Sequence, residues 1–232
     1  SPDYESDIRD QVEWRFQRDF DEEKRSLISE ALITCITCPL GEIFAGNTLH
    51  SLGTTHRLSE MEFNFFLPQD RKGAFKLSKL GELMVQHESS HPELLAYGEA
   101  LKNHDSTAEI AGFMVGFIDA VFRIQDGDKV QYVITDYKTD TLHKPKDDRS
   151  NPFVNYHPEN LVDAMTDRHY IIQVLAYSVA LHRYLKWRQP NYNPDVHLGG
   201  AAYLFLRGMT GLMTEEDRPR PFGVFTGDPQ LH

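Results

Sequence analysis

The sequence predicts an α/β domain in which helices flank a β-sheet, and three stretches carry that expectation. Residues 113–124 and 129–138 are β-rich runs joined by Gln125-Asp126-Gly127-Asp128. Asp-Gly between two such runs is the strongest short-range signal of a hairpin. Residues 57–67 alternate with period two, the mark of a half-buried strand. Residues from about 168 to 187 read as a helix, and 199–207 as a buried strand.

The remaining elements follow in order. Residues 1 to about 20 are charge-dense with scattered Trp14, Phe16 and Phe20, readable as an amphipathic helix. From Glu22 to about Cys38, Leu27, Ile28, Leu32, Ile33 and Ile36 recur near helical spacing until Pro39 and Gly41 end the run. In the strand at 57–67, Leu58, Glu60, Glu62 and Asn64 fall on one face, with Met61, Phe63, Phe65 and Leu67 on the other. Short helices and loops are expected from Lys76 to His104, and a mobile loop in the first half of the polar stretch 143–168. The domain reading is a helical part at 1–56, a core at 57–210 and a partly ordered tail at 211–232. A start at Ser-Pro instead of Met suggests a piece of a longer chain.

With 232 residues and 40% hydrophobic content, the chain can bury a substantial core. It is neither a disordered tail nor a disulfide-stapled mini-protein. Lys and Arg number 24 against 35 Asp and Glu, a net charge of −11, so bulk charge does not draw this chain to a polyanion. Binding to one would need bound cations, a local basic strip or another polypeptide. The two cysteines, Cys35 and Cys38, could form half of a zinc or redox site, but the apolar surroundings and the lack of a second pair favour buried thiols. No apolar run approaches a membrane span, and a cytosolic protein is expected.

Chemistry concentrates on the hairpin. A two-residue turn, at 126–127 or 127–128, puts Asp119, Asp136 and Lys138 on one face. Two carboxylates on neighbouring strands among Phe117, Ile118, Val133 and Ile134 are costly without a cationic partner. Carboxylate oxygens favour Mg²⁺ or Mn²⁺, which complete their shells with water and phosphate oxygens. A lysine two residues on could orient a metal-bound water or stabilise charge on a phosphate. The bland alternative is an Asp–Lys ion pair on a solvated sheet. On the later helix, Gln173, Tyr177 and Tyr184 share about one stripe, so their polar tips could face a bound strand, or the tyrosines could simply be core.

Gly116-Phe117-Ile118-Asp119 followed by Thr135-Asp136-Tyr137-Lys138 resembles the second and third motifs of the PD-(D/E)xK nuclease superfamily, most closely its RecB-type branch. Residues 58–63, 173–185 and 199–208 are similar to that branch in the expected order, over roughly 57–225. The resemblance implies a restriction-endonuclease-like mixed β-sheet flanked by α-helices and a Mg²⁺- or Mn²⁺-dependent deoxyribonuclease. By resemblance Asp119 and Asp136 bind metal with the Tyr137 carbonyl, Lys138 is the catalytic lysine, and Glu62 is the upstream acid. Gln173 and Tyr177 match the branch's Gln-x-x-x-Tyr motif. The implied partners are DNA, RecC-like and RecD-like subunits and a helicase part of the same chain.

Two departures stand out. Ile118 replaces the name-giving proline, and no His precedes His50, although the branch uses an upstream metal-binding His. His50 and His56 are in the wrong context, so weakened metal affinity is expected. The competing readings are a scaffold or DNA guide that has lost catalysis, and a hydrolase of small phosphates. An iron-sulfur nuclease lacks its cysteines, a zinc protease its HExxH, and an ATPase its Walker A motif.

Overall fold

The computed structural model describes residues 3–67, 75–87, 92–103, 109–110, 112–142, 151–215 and 217–227. The helices are α1 (Tyr4–Phe16), α2 (Glu22–Thr37), α3 (Leu49–Leu52), α4 (Leu77–His87), α5 (Pro92–Lys102), α6 (Pro158–Asp167), α7 (Tyr170–Arg188) and α8 (Pro194–His197). The strands are β1 (Arg57–Leu67), β2 (Phe75–Lys76), β3 (Glu109–Ile110), β4 (Gly112–Asp126), β5 (Lys129–Lys138), β6 (Leu198–Phe205) and β7 (Val224–Gly227). The loop expected at the start of 143–168 falls at 143–150, outside the described residues.

Local chemistry accounts for the boundaries. Asp21 caps α2 by accepting from the Lys24 N–H at 2.9 Å, and the helix stops where Cys38 turns extended before Pro39. The hairpin closes on Gly127-Asp128, with Asp126 opposite Lys129 and Gly127 at φ 57°. A positive φ at the first turn position suits a two-residue hairpin loop, and glycine takes it without steric cost.

Strand order in the main sheet is β1-β4-β5-β6-β7, and β2 and β3 form a separate pair. Only the β5–β6 pair of the main sheet is parallel, which requires the helical crossover that α6, α7 and α8 supply. Strand β6 is buried on both faces. Ala202 and Leu204 join a core with Cys35, Cys38 and Phe44 beneath α2, while Ala201 joins Ile134, Tyr177 and Leu181 beneath α7. A third core, holding Tyr203, Phe205, Met165 and Tyr97, seats α4, α5 and α6 at the end of the sheet. Both cysteines are free and buried, and Cys35 Sγ lies 3.7 Å from Met209 Sδ. Burial pushes their thiols up to about 12 and about 11, so they are core residues, as their surroundings suggest.

Within the stretch read as a tail, β7 closes the sheet edge, with Val224 and Phe225 buried. Among the described residues no single helix is long and apolar enough to cross a membrane.

Candidate active site

Two ladders part at Asp119. From the turn, β4 pairs with β5 as far as Ala120, opposite Thr135; beyond that point β4 continues beside β1 and β5 beside β6. Ala120 faces the α2 core and Ile118 the α7 core, so the two-residue alternation breaks at the residue between them. In β1 the ladder skips Glu60, which lies between the pairs Ser59–Ala120 and Met61–Ile118 and has φ 52°. A left-handed backbone at a non-glycine residue costs about 1 to 3 kcal/mol and persists only where surrounding structure enforces it. The Tyr137 N–H donates to Asp119 Oδ2 at 2.9 Å, so the carboxylate takes a backbone donor where the strands separate.

On the α7 side of β5, Asp136 is 3% exposed, and Lys138 Nζ lies 2.6 Å from its Oδ2. The contact is a buried ion pair that counters part of the cost of burying the carboxylate. Burial, foremost, holds the Asp136 carboxyl above the usual carboxylate range; Lys138 opposes the shift and Asp119 adds to it.

Gln173 is the hub of the site. Its Oε1 accepts from Lys138 Nζ at 3.1 Å and from the Tyr203 hydroxyl at 3.0 Å, and its Nε2 donates to the Tyr177 hydroxyl at 2.7 Å. Tyr177 is buried against Phe63, and desolvation pushes its phenol up to about 12. Gln173 and Tyr177 therefore converge with Lys138, their polar atoms engaged with protein. Tyr184, about two turns further along α7, lines a separate groove with Leu58 and Tyr132.

Glu62 keeps the face read from the alternation, but not the place beside the other acids that the resemblance implies. Met61 and Phe63 face the α7 core, so Glu62 points to the opposite, exposed side, and the structure does not bring it to Asp136 and Lys138. The left-handed residue at Glu60 interrupts the alternation upstream of Met61 and leaves the face of Glu62 unchanged. The Tyr137 ring packs on the α2 core, and the His50 ring stacks 4.0 Å from Tyr4.

Sequence reasoning missed Tyr203, Tyr170, Asp140 and Arg168, all of which reach the lysine or its neighbours. The Lys138 ammonium sits over the Tyr170 ring at 4.0 Å and the Tyr203 ring at 5.2 Å. The Tyr170 hydroxyl donates to Asp140 Oδ2 at 2.9 Å, and Arg168 pairs with the other oxygen. The available signal was proximity in sequence: Asp140 follows Lys138 by two residues, and Tyr170 precedes Gln173 by three.

A mixed five-stranded sheet between helices, with carboxylates and a lysine gathered where two ladders part, defines a restriction-endonuclease-like α/β domain. In sequence the chain is related to RecB: it is 37% identical over 206 residues to the RecBCD enzyme subunit RecB of Mycolicibacterium smegmatis. Identity is 35% over 207 residues with that of Mycobacterium tuberculosis H37Rv and 30% over 210 residues with that of Escherichia coli K12. These matches cover 87%, 87% and 90% of this chain, and 18%, 18% and 15% of the relatives, so the chain spans less than a fifth of their length. The resemblance read from the motifs is borne out. No protein-family model matches the chain.

Proposed function

We propose that the chain is a metal-dependent deoxyribonuclease module that hydrolyses phosphodiester bonds at broken DNA ends within a RecBCD-type assembly. Asp136 is the observation that carries this reading: a carboxylate 3% exposed, 2.6 Å from the Lys138 ammonium and close enough to Asp119 to feel its charge. Two neighbouring carboxylates, one of them buried, suit a hard cation, because like charges held together are costly without one.

Among the described residues no group of three or more His, Cys, Asp and Glu side chains converges on a metal position. Two carboxylates nevertheless fit Mg²⁺ or Mn²⁺, since Mg²⁺ is ordinarily held by one or two carboxylates, several waters and substrate phosphates. Asp119 and Asp136 would hold it, with the Tyr137 carbonyl beside them. Bound there, the metal supplies Lewis-acid polarisation of the phosphate and a water of lowered pKa. The Lys138 ammonium, held by Asp136 and Gln173, stabilises negative charge developing on the phosphate oxygens. Gln173 and Tyr177 keep that lysine in place. RecC-like and RecD-like subunits and a helicase part of the longer chain deliver the strand, a division of labour suited to a net charge of −11.

The test is incubation of linear single- and double-stranded DNA with the chain and Mg²⁺ or Mn²⁺, against an EDTA control and Asp136→Ala. Metal-dependent cutting that disappears in the variant supports the reading. Metal binding with DNA ends left intact replaces it with the catalytically silent scaffold.

A further inference from the structure

We propose that Tyr170 is a positioning residue for Lys138, locked in that role by Asp140 and Arg168; the inference rests on the nuclease reading above. A lysine side chain is a flexible stem ending in a point charge, so a reaction that depends on its placement needs a cradle around the ammonium. The cradle here has two kinds of wall. Asp136 Oδ2 at 2.6 Å and Gln173 Oε1 at 3.1 Å engage the ammonium from the polar side. The ring faces of Tyr170 at 4.0 Å and Tyr203 at 5.2 Å engage it from the apolar side. Gln173 takes one ammonium proton in a hydrogen bond and Asp136 balances the charge, so the cradle fixes where the ammonium sits relative to an incoming phosphate.

Tyr203 is fully buried in strand β6, between β5 and β7, and cannot swing away. Tyr170 stands on the first turn of α7 and is only partly buried, so its ring needs a separate anchor. Asp140 provides it. One carboxylate oxygen accepts from the Tyr170 hydroxyl at 2.9 Å, the other pairs with Arg168, and the Asp140 carbonyl accepts from the buried Tyr156 hydroxyl at 2.9 Å. Asp140 follows Lys138 by two residues, so the clamp starts and ends in one short segment: lysine, ring, hydroxyl, carboxylate and back along the chain. The α7 entry is set by His169, left-handed at φ 56°, whose Nδ1 lies 2.7 Å from the Tyr97 hydroxyl. Arg168 and Asp140 are partly solvent-exposed, and ion pairs in such surroundings add little to stability. Their value lies in fixing the ring.

Steady-state cleavage of linear DNA with Mg²⁺ by Tyr170→Leu, Tyr170→Phe and Asp140→Asn tests this, alongside NMR of the Lys138 Cε–H signals, assigned by their loss in Lys138→Ala. In the wild type those signals are displaced upfield by the ring currents. Tyr170→Leu is expected to lower kcat about 10- to 100-fold, the usual range for a supporting residue, with KM unchanged and the Lys138 signals moved toward free lysine. Tyr170→Phe keeps the ring but loses its bond to Asp140, so its rate and Lys138 signals are expected to fall between those of the wild type and Tyr170→Leu. Asp140→Asn, at a partly exposed position, folds normally and broadens or shifts the same signals. Wild-type kcat in Tyr170→Leu, a loss confined to KM, or Lys138 signals unmoved by the ring's removal would overturn the proposal. A wild type that cuts no DNA sinks the nuclease reading instead, and the NMR comparison still decides whether Tyr170 holds the lysine.

Discussion

The backbone N–H of Tyr137 donates to Asp119 Oδ2 at 2.9 Å, and that bond ties the parting hairpin to the acid that marks its fork. One side chain therefore has two duties. It completes the backbone of β5 and keeps a second carboxylate oxygen that the Tyr137 N–H does not use.

Substitution at Asp119 separates those duties. Asp119→Asn keeps a carbonyl oxygen for the Tyr137 N–H and is expected to unfold in urea within about 1 kcal/mol of the wild type, while losing metal-dependent cleavage. Asp119→Ala orphans the donor and is expected to cost about 1 to 3 kcal/mol. Equal destabilisation by both variants would show that the bond contributes nothing in solution.

The pH dependence of stability follows from Asp136. Its folded-state carboxyl is raised by burial, so folding favours the protonated form. The contribution of this group is present below the unfolded value near 3.9 and is lost as pH rises through the folded value. In EDTA, the stability of the wild type relative to Asp136→Asn should fall as pH rises through that window. Metal binding needs the ionised carboxylate, so the gain in melting temperature from Mg²⁺ should be larger at about pH 8 than at about pH 5, and absent in Asp136→Asn. Parallel melting curves for the two proteins at every pH would contradict this.

Gln173→Ala removes the shared acceptor of Lys138 and Tyr203. The Tyr203 hydroxyl is then buried without its partner, at a cost of about 1 to 3 kcal/mol in chemical denaturation. Adding Tyr203→Phe removes the orphaned hydroxyl, so the double variant should be less destabilised than the sum of the singles. Strict additivity would place the two residues outside one network.

Gly208 lies against Tyr156, where an added Cβ would come within 2.4 Å of the Tyr156 Cβ and the ring's Cγ. The Tyr156 hydroxyl donates to the Asp140 carbonyl and accepts from the Leu142 N–H, so displacing this ring loosens the segment just after Lys138. Gly208→Ala is expected to destabilise the fold by about 1 to 3 kcal/mol, as overpacked sites do, and to lower cleavage beyond what the stability loss explains. A melting temperature equal to that of the wild type would refute the close approach.

Much of the architecture was legible in short windows. The alternation at 57–67 is β1, the Asp-Gly signal marks the hairpin between β4 and β5, and the expected helix and buried strand are α7 and β6. The face of Glu62, opposite Met61 and Phe63, was legible too. The break at Glu60 was not, because period two holds only while every residue stays extended and nothing in the local sequence marks Glu60 as left-handed. The edge strand β7 was hidden for a related reason, because four residues among prolines, glycines and charges form a strand by pairing with β6.

The nearness of Asp119 to the strand carrying Asp136 and Lys138 was legible from sequence because a hairpin is a local object: the turn sets which residues face each other as far as Ala120, opposite Thr135. The cradle around the lysine belongs to tertiary structure. Tyr170, Gln173 and Tyr203 reach Lys138 from 32, 35 and 65 residues away by sequence number. That meeting depends on the crossover laying α7 over β5 and on β6 pairing parallel beside it. Periodicity records which side of an element is apolar, but it carries no information about which distant element will cover that side, and packing alone settles it.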